Sequence, residues 1–146
     1  MKIYTIGFSK KTAETFFMAL RGNAVRQLVD IRENNTSQLA GFTKKEDLRF
    51  FLRELVNVSY IHIPELAPDK EMRTHYKSTK NWERYTEAYL SLIEARGIIG
   101  RLKESNPFIT PFVLLCSEPK PEKCHRRLAA EILKEHIYSD GEIVHL

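Results

Sequence analysis

The sequence predicts an α/β protein: one three-layer domain over residues 1–146, with a mostly parallel sheet of about five strands and helices on both faces. Three observations predict it. Short apolar, strand-like runs alternate with segments of helical periodicity along the whole chain, in the order β-α-β-α-β-α-β-α-β. The fourth strand-like run, Phe112-Val113-Leu114-Leu115, is apolar at every position, as a strand covered on both sides requires. No internal repeat, low-complexity tract or linker marks a boundary, and 146 residues fit one domain with a substantial core.

Ile3-Tyr4-Thr5-Ile6 reads as the first strand, ended by Gly7. Ala13, Phe16, Phe17 and Leu20 recur at i, i+3, i+4 and i+7, one face of a helix, and Gly22 stands where its C-cap is expected. Gln27 to Ile31 forms the second strand. The polar stretch from Arg32 to Phe42 is a loop. Thr43 and Glu46 have the spacing of a capping box ahead of a helix with Leu48, Phe51, Leu52 and Leu55 on its apolar face. Val58 to Ile63 is the third strand, stopped by Pro64. No periodicity is visible from Pro64 to Lys80, which predicts a long loop of the functional or mobile kind. Tyr85, Ala88, Tyr89, Leu92 and Ile93 mark a third helix running to about Leu102. Phe112 to Cys116 is the fourth strand, Leu128, Ala129, Ile132 and Leu133 mark the last helix, and Gly141 turns the chain into a final strand at Glu142 to Leu146.

Composition narrows the function. Charged residues make up 29% and hydrophobic residues 42%, a globular rather than a disordered balance. No apolar run approaches the ~20 residues of a membrane span, and Met1-Lys2 leads straight into a strand with no signal-like segment, so a cytoplasmic protein without a membrane partner is expected. The net charge of +4 favours anionic partners weakly, and no Lys/Arg block of nucleic-acid type is present. Two cysteines in such a chain do not make a disulfide framework.

The alternation decides where chemistry is sought. In open α/β sheets ligands bind outside the carboxyl ends of the strands. Those ends are Gly7-Phe8-Ser9, Asp30 to Arg32, Pro64-Glu65 and Cys116 to Glu118, joined by the helix start at Cys124-His125-Arg126. A helix N-terminus and neighbouring cations lower a thiol pKa, which makes Cys124 the first-choice nucleophile and leaves Cys116, at the end of a buried strand, more structural. Arg32 and Arg126 are the candidate anion grips, although an ion pair with Glu33 or Glu65 accounts equally for Arg32. Glu118 and Glu65 are the candidate acid/base groups, and Ser9, His125 and Cys116 complete the ligand-facing set. Asp30, inside an apolar run, needs a partner such as Arg32. His62 reads as a hydrogen-bonded core histidine. Cys116, Cys124, His125 and His62 are zinc-ligand types, but their spacing is not that of structural zinc sites, so no metal is assigned. Neither GxGxxG nor a Walker lysine follows the first strand, which argues against dinucleotide and P-loop sites. The aromatics Tyr76, Trp82, Tyr85 and Tyr89 near Lys70, Arg73, Lys77 and Lys80 suit base stacking, though Tyr85 and Tyr89 have core spacing.

Several of these segments together, Thr5-Ile6-Gly7-Phe8-Ser9-Lys10-Lys11, Leu28 to Arg32, Asn34 to Ser37, Gly41-Phe42, His62 to Pro68, and Leu114 to Glu118 with Cys124-His125-Arg126, closely resemble the family labelled domain of unknown function 488. The resemblance covers nearly the whole chain, from Thr5 to Leu146. Many members look like Thr-Ile-Gly-His-Ser at the first motif; with Phe8 in place of that histidine, this chain looks like the branch with Thr-Ile-Gly-Phe. The resemblance implies an α/β fold and motif positions at Arg32, Glu65, Cys116, Glu118, Cys124, His125 and Arg126, but no reaction. The expectation is therefore an enzyme acting on a small anionic substrate, phosphorylated or nucleotide-like, through a Cys/Glu/Arg site at the strand ends. The alternative is a non-catalytic nucleic-acid- or nucleotide-binding regulatory module. Cofactor, substrate and oligomeric state are not legible in the sequence.

Overall fold

The computed structural model describes residues 1–36 and 41–146. Five parallel strands form its sheet: β1 (Lys2–Gly7), β2 (Gln27–Asp30), β3 (Ser59–His62), β4 (Phe112–Cys116) and β5 (Glu142–His145), in the spatial order β3-β2-β4-β1-β5. Among the described residues six α-helices flank it: α1 (Ala13–Gly22), α2 (Lys45–Phe51), α3 (Lys70–Thr79), α4 (Trp82–Arg96), α5 (Ile98–Ser105) and α6 (His125–His136). The α/β class, the parallel sheet and the two helical layers are as the sequence predicts.

Strict alternation along the strands divides the core in two. Tyr4, Ile6, Leu28, Val113 and Leu115 pack with Phe16, Phe17 and Leu20 of α1 and Leu48 of α2. Ile3, Val29, Phe112 and Leu114 face the other way, onto Tyr85, Tyr89 and Ile93 of α4, Leu102 of α5 and Leu128, Ala129, Ile132 and Leu133 of α6. Every residue of β4 is buried, which is why its sequence lacks alternation.

Three expectations are corrected. The stretch Pro64 to Lys80 is not a loop: it holds a short 3-10 turn, Pro64–Leu66, and α3. This helix buries no residue fully and lends only Met72 and Tyr76 to the core, so it leaves little apolar periodicity. Its start is set locally, by the Asp69 side chain accepting from the Met72 N–H at 2.8 Å. The single helix expected from Tyr85 to Leu102 is two, broken at Gly97, whose φ of +61° belongs to the left-handed region that glycine adopts freely. The capping box at Thr43 is not formed: Lys44 is the N-cap of α2 and makes no side-chain cap bond, while Thr43 is buried in a turn, Gly41–Thr43, with its carbonyl accepting from Arg32. Ser37, in the motif Asn34 to Ser37, lies outside the described residues, as does the centre of the loop expected from Arg32 to Phe42.

The topology singles out one crevice. β1 and β4 are neighbours, yet β1 leads into α1 on one face and β4 leads into α6 on the other. Chains that leave adjacent parallel strands toward opposite faces open a gap between them, and this is where such sheets bind ligands. Gly7 and Cys116 are register partners at its floor.

Candidate functional site

The crevice is closed over Gly7 by the loop that follows β4. The Ser9 N–H donates to the Ser117 carbonyl at 3.1 Å, and a Cβ on Gly7 would fall on the Glu118 carbonyl and against the Arg126 guanidinium. Glycine at position 7 is therefore required by close approach. Arg126 enters from the first turn of α6 and is wholly buried. Its Nη1 donates to the Glu118 carbonyl and to Cys116 Sγ, the latter at 3.3 Å, and its Nε and Nη2 have no partner among the described residues.

Cys116 and Cys124 are free thiols whose sulfurs lie 2.8 Å apart, both buried. Burial alone would raise the Cys116 pKa, but the hydrogen bond from Cys124 and the Arg126 guanidinium outweigh it and lower it. Cys124 is shifted up, by its hydrogen bond to Cys116 and then by burial. Of the two sulfurs, Cys116 beside the cation is therefore the one that ionises more readily, and Cys124 the one that keeps its proton longer. This reverses the order expected from the sequence, where the helix N-terminus pointed to Cys124 as the thiolate. A guanidinium in contact outweighs a partial helix charge.

His125, partly buried, lies next to this pair. Its Nε2 is 3.1 Å from the Ile31 carbonyl and so carries the proton, leaving Nδ1 unprotonated at 3.9 Å from Cys124 Sγ. Burial, the largest influence, lowers the imidazole pKa to about 4. A folded pKa below the unfolded one means that the unfolded chain takes up a proton first as pH falls. Stability is therefore complete above about pH 6.5 and declines between there and about pH 4, by up to about 3 kcal/mol. Urea unfolding at a series of pH values should show this acid limb, and His125→Gln should flatten it.

Outside the sulfur pair the crevice widens into a cleft of about 730 Å³ between α3 and the loop from Ser117 to His125. Lys70, Arg73, Lys77, Lys80 and Lys123 line it, with Glu118 the one acid among its described lining residues. Arg73 is partly offset by Glu33 at 2.6 Å, an exposed pair. Tyr85 also lines the cleft. Burial first, and then the neighbouring cysteines, push its phenol pKa up, so it remains a hydrogen-bond donor. Cys124 and His125 line the cleft and Cys116 stands behind them.

Other expected residues sit elsewhere. Arg32 is 5% exposed and its ion-pair partner is Asp30, not Glu33 or Glu65: Nε meets Oδ1 and Nη2 meets Oδ2, each at 2.8 Å. Nη2 also donates to the Thr43 carbonyl. Tyr60 donates to the same carboxylate at 2.7 Å, and Asn35 supports Tyr60 at 3.0 Å. Glu65 does not line the cleft; its backbone carbonyl accepts from Arg96 at 2.7 Å. His62 places Nε2 at 2.7 Å from the Arg32 carbonyl, as a satisfied histidine does. Among the described residues Cys116, Cys124 and His125 present donor atoms within 4.8 Å of one another, a soft set of three that does not include His62.

Two residues outside the candidate set also stand near the site. Lys11 lies within electrostatic reach of Arg126 and Cys116, and burial followed by Arg126 lowers its pKa. His145 meets the buried Thr5 hydroxyl at 2.6 Å, and burial and Arg126 lower its pKa also. Neither carries a spacing signal, because each reaches the site only through the pairing of β1 with its neighbours. A second depression, at the amino-terminal edge, is lined by Arg26, Arg49, Arg53 and Tyr60 and offers neither a thiol nor a carboxylate among its described lining residues.

No helix among the described residues is long and apolar enough to cross a membrane. No curated protein and no solved structure matches the chain. One family does match, over residues 12–133, a span that takes in Arg32, Glu65, both cysteines, Glu118, His125 and Arg126. With most of its length and its whole thiol–arginine site inside that span, the chain belongs to the family described as Domain of unknown function DUF488.

Proposed function

We propose that the protein is an enzyme that acts on a small anionic substrate through its paired thiols. The observation that carries this reading is the position of Cys124: it forms part of the wall of a cleft edged by five Lys/Arg side chains, while Cys116 and Arg126 back it from the sheet. The cations attract and hold the anion. Cys124 is the sulfur that substrate meets, and Cys116 is the acceptor that takes its proton. Glu118 is the acid/base group at the cleft. Arg126 positions the pair and stabilises its charge rather than gripping substrate, since it has no exposed surface.

Alkylation tests this. Iodoacetate, an anion, should modify Cys124 about tenfold or more faster than neutral iodoacetamide does, relative to their rates with a free thiol, and salt should erase the preference. Charge reversal at Lys77→Glu should remove it. Equal relative rates in the wild type would refute the anion-binding cleft.

A second reading rests on Tyr76 and Tyr85, which line the same cleft among its cations and suit stacking with bases. In that case the protein is a nucleic-acid- or nucleotide-binding module. Salt-sensitive binding of a single-stranded oligonucleotide, unchanged in Cys124→Ser, would favour it over the enzyme.

A further inference from the structure

We infer that the site carries out a two-step thiol–disulfide exchange on small anionic disulfides, with Cys124 as the attacking sulfur and Cys116 as the resolving one. The inference rests on the anion-binding cleft proposed above and names the substrate class.

Three features support it. The sulfurs are 2.8 Å apart and both are free, one held by the end of a buried strand and the other at the N-cap of α6, so a bond between them needs little movement. Their access is unequal: Cys124 lines the cleft and Cys116 does not. Exchange requires this inequality, since the first sulfur must meet the substrate and the second must meet only the first. The cleft, at about 730 Å³, has room for a molecule much larger than a peroxide, and its lysines and Arg73 suit both the carboxylates of an anionic disulfide and the thiolate that departs from it.

The steps balance. Cys124 passes its proton to the Cys116 sulfur as its own Sγ attacks one sulfur of the substrate. The substrate S–S bond breaks, one thiolate leaves, and a mixed disulfide remains on Cys124. Cys116 Sγ then attacks Cys124 Sγ, the mixed disulfide breaks, and the second product leaves with the proton. Two electrons pass from the cysteine pair to the substrate, which becomes two thiols, one of them ionised. Arg126, in contact with Cys116, stabilises the negative sulfur before the first step.

The probes are dithiobis-nitrobenzoate, a dianionic disulfide, and dithiodipyridine, an uncharged one. With the reduced wild-type protein the anionic probe should release two equivalents of thiol per chain, and the protein should end lighter by two hydrogens with no adduct. Cys116→Ser should release one equivalent and keep the mixed disulfide on Cys124. Cys124→Ser should react at least about tenfold more slowly, because the remaining thiol is off the cleft. An adduct retained by the wild type would overturn the exchange while the alkylation preference could still stand. Two-equivalent release with no preference for the anionic probe at low salt would overturn the anionic substrate class. A wild-type pair that reacts only after a chelator is added would also overturn it, since the sulfurs would then be metal ligands with His125.

Discussion

Replacing Arg126 by methionine is expected to slow alkylation of the cysteine pair at neutral pH by about an order of magnitude and to move its pH profile upward, toward that of a free thiol. The cause is local. Nη1 is 3.3 Å from Cys116 Sγ, buried, with little water to screen the charge. Methionine fills most of the volume but supplies no charge, so the substitution separates electrostatics from packing. Arg126→Ala adds a void and leaves the Glu118 carbonyl without its donor, and should cost about 3 kcal/mol in urea unfolding. The sign of the pH dependence follows from the lowered Cys116 pKa. A folded pKa below the unfolded one adds stability that is full above the unfolded pKa and lost as pH falls through the folded pKa. The stability gap between wild type and Arg126→Met should therefore widen as pH rises toward about 8.5, the pKa of an unfolded thiol. Arg126→Lys, which keeps a charge but on a shorter side chain without the planar guanidinium, should recover only part of the reactivity. A methionine variant whose alkylation profile coincides with the wild type would show that the guanidinium does not set the thiol chemistry.

The sheet is legible because its inner strands β1, β2 and β4 are buried on both sides and its helices α1, α4 and α6 each bury a stripe of large apolar residues. Helix α3 is not, since a helix that lies over an edge with its polar faces in water needs no stripe. That miss concealed the cleft, because α3 supplies Lys70, Arg73 and Lys77 to its wall. Convergence of Cys116, Glu118, Cys124, His125 and Arg126 could be inferred from topology alone, once the strands were taken as parallel. The identity of the thiolate could not. It depends on which sulfur the buried guanidinium touches, a matter of one side chain's direction from the first turn of α6. Arg32 fails as a cleft residue for a comparable reason. Asp30 and Arg32 are two apart in sequence, and the turn after β2 folds the guanidinium back onto its own strand's carboxylate, on the side of Phe8, whose ring lies 5.4 Å from it.

That pair carries the largest expected effect on stability. Asp30 is wholly buried and accepts from the Arg32 backbone N–H, Arg32 Nε and Nη2, and the Tyr60 hydroxyl. Asp30→Ala strips those donors at once and leaves a buried guanidinium without its counter-charge, which should cost about 3–5 kcal/mol. Against a total of about 5–15 kcal/mol for a domain, that is enough to depopulate the fold on mild heating. Tyr60→Phe removes a single donor and should cost about 1 kcal/mol. Most of the Asp30→Ala cost is the uncompensated charge, so Asp30→Leu combined with Arg32→Met should be more stable than Asp30→Ala alone; urea denaturation of the variants measures it. A double variant no better than the single would mean that the carboxylate holds the turn by its backbone bond to Arg32 rather than by the ion pair. The same double variant tests where the anion binds. If Arg32 is a buried support and the cleft cations do the binding, the preference for iodoacetate over iodoacetamide should survive the loss of Arg32 and vanish in Lys77→Glu. The reverse pattern would return Arg32 to the ligand-binding role that its place at a strand end suggests.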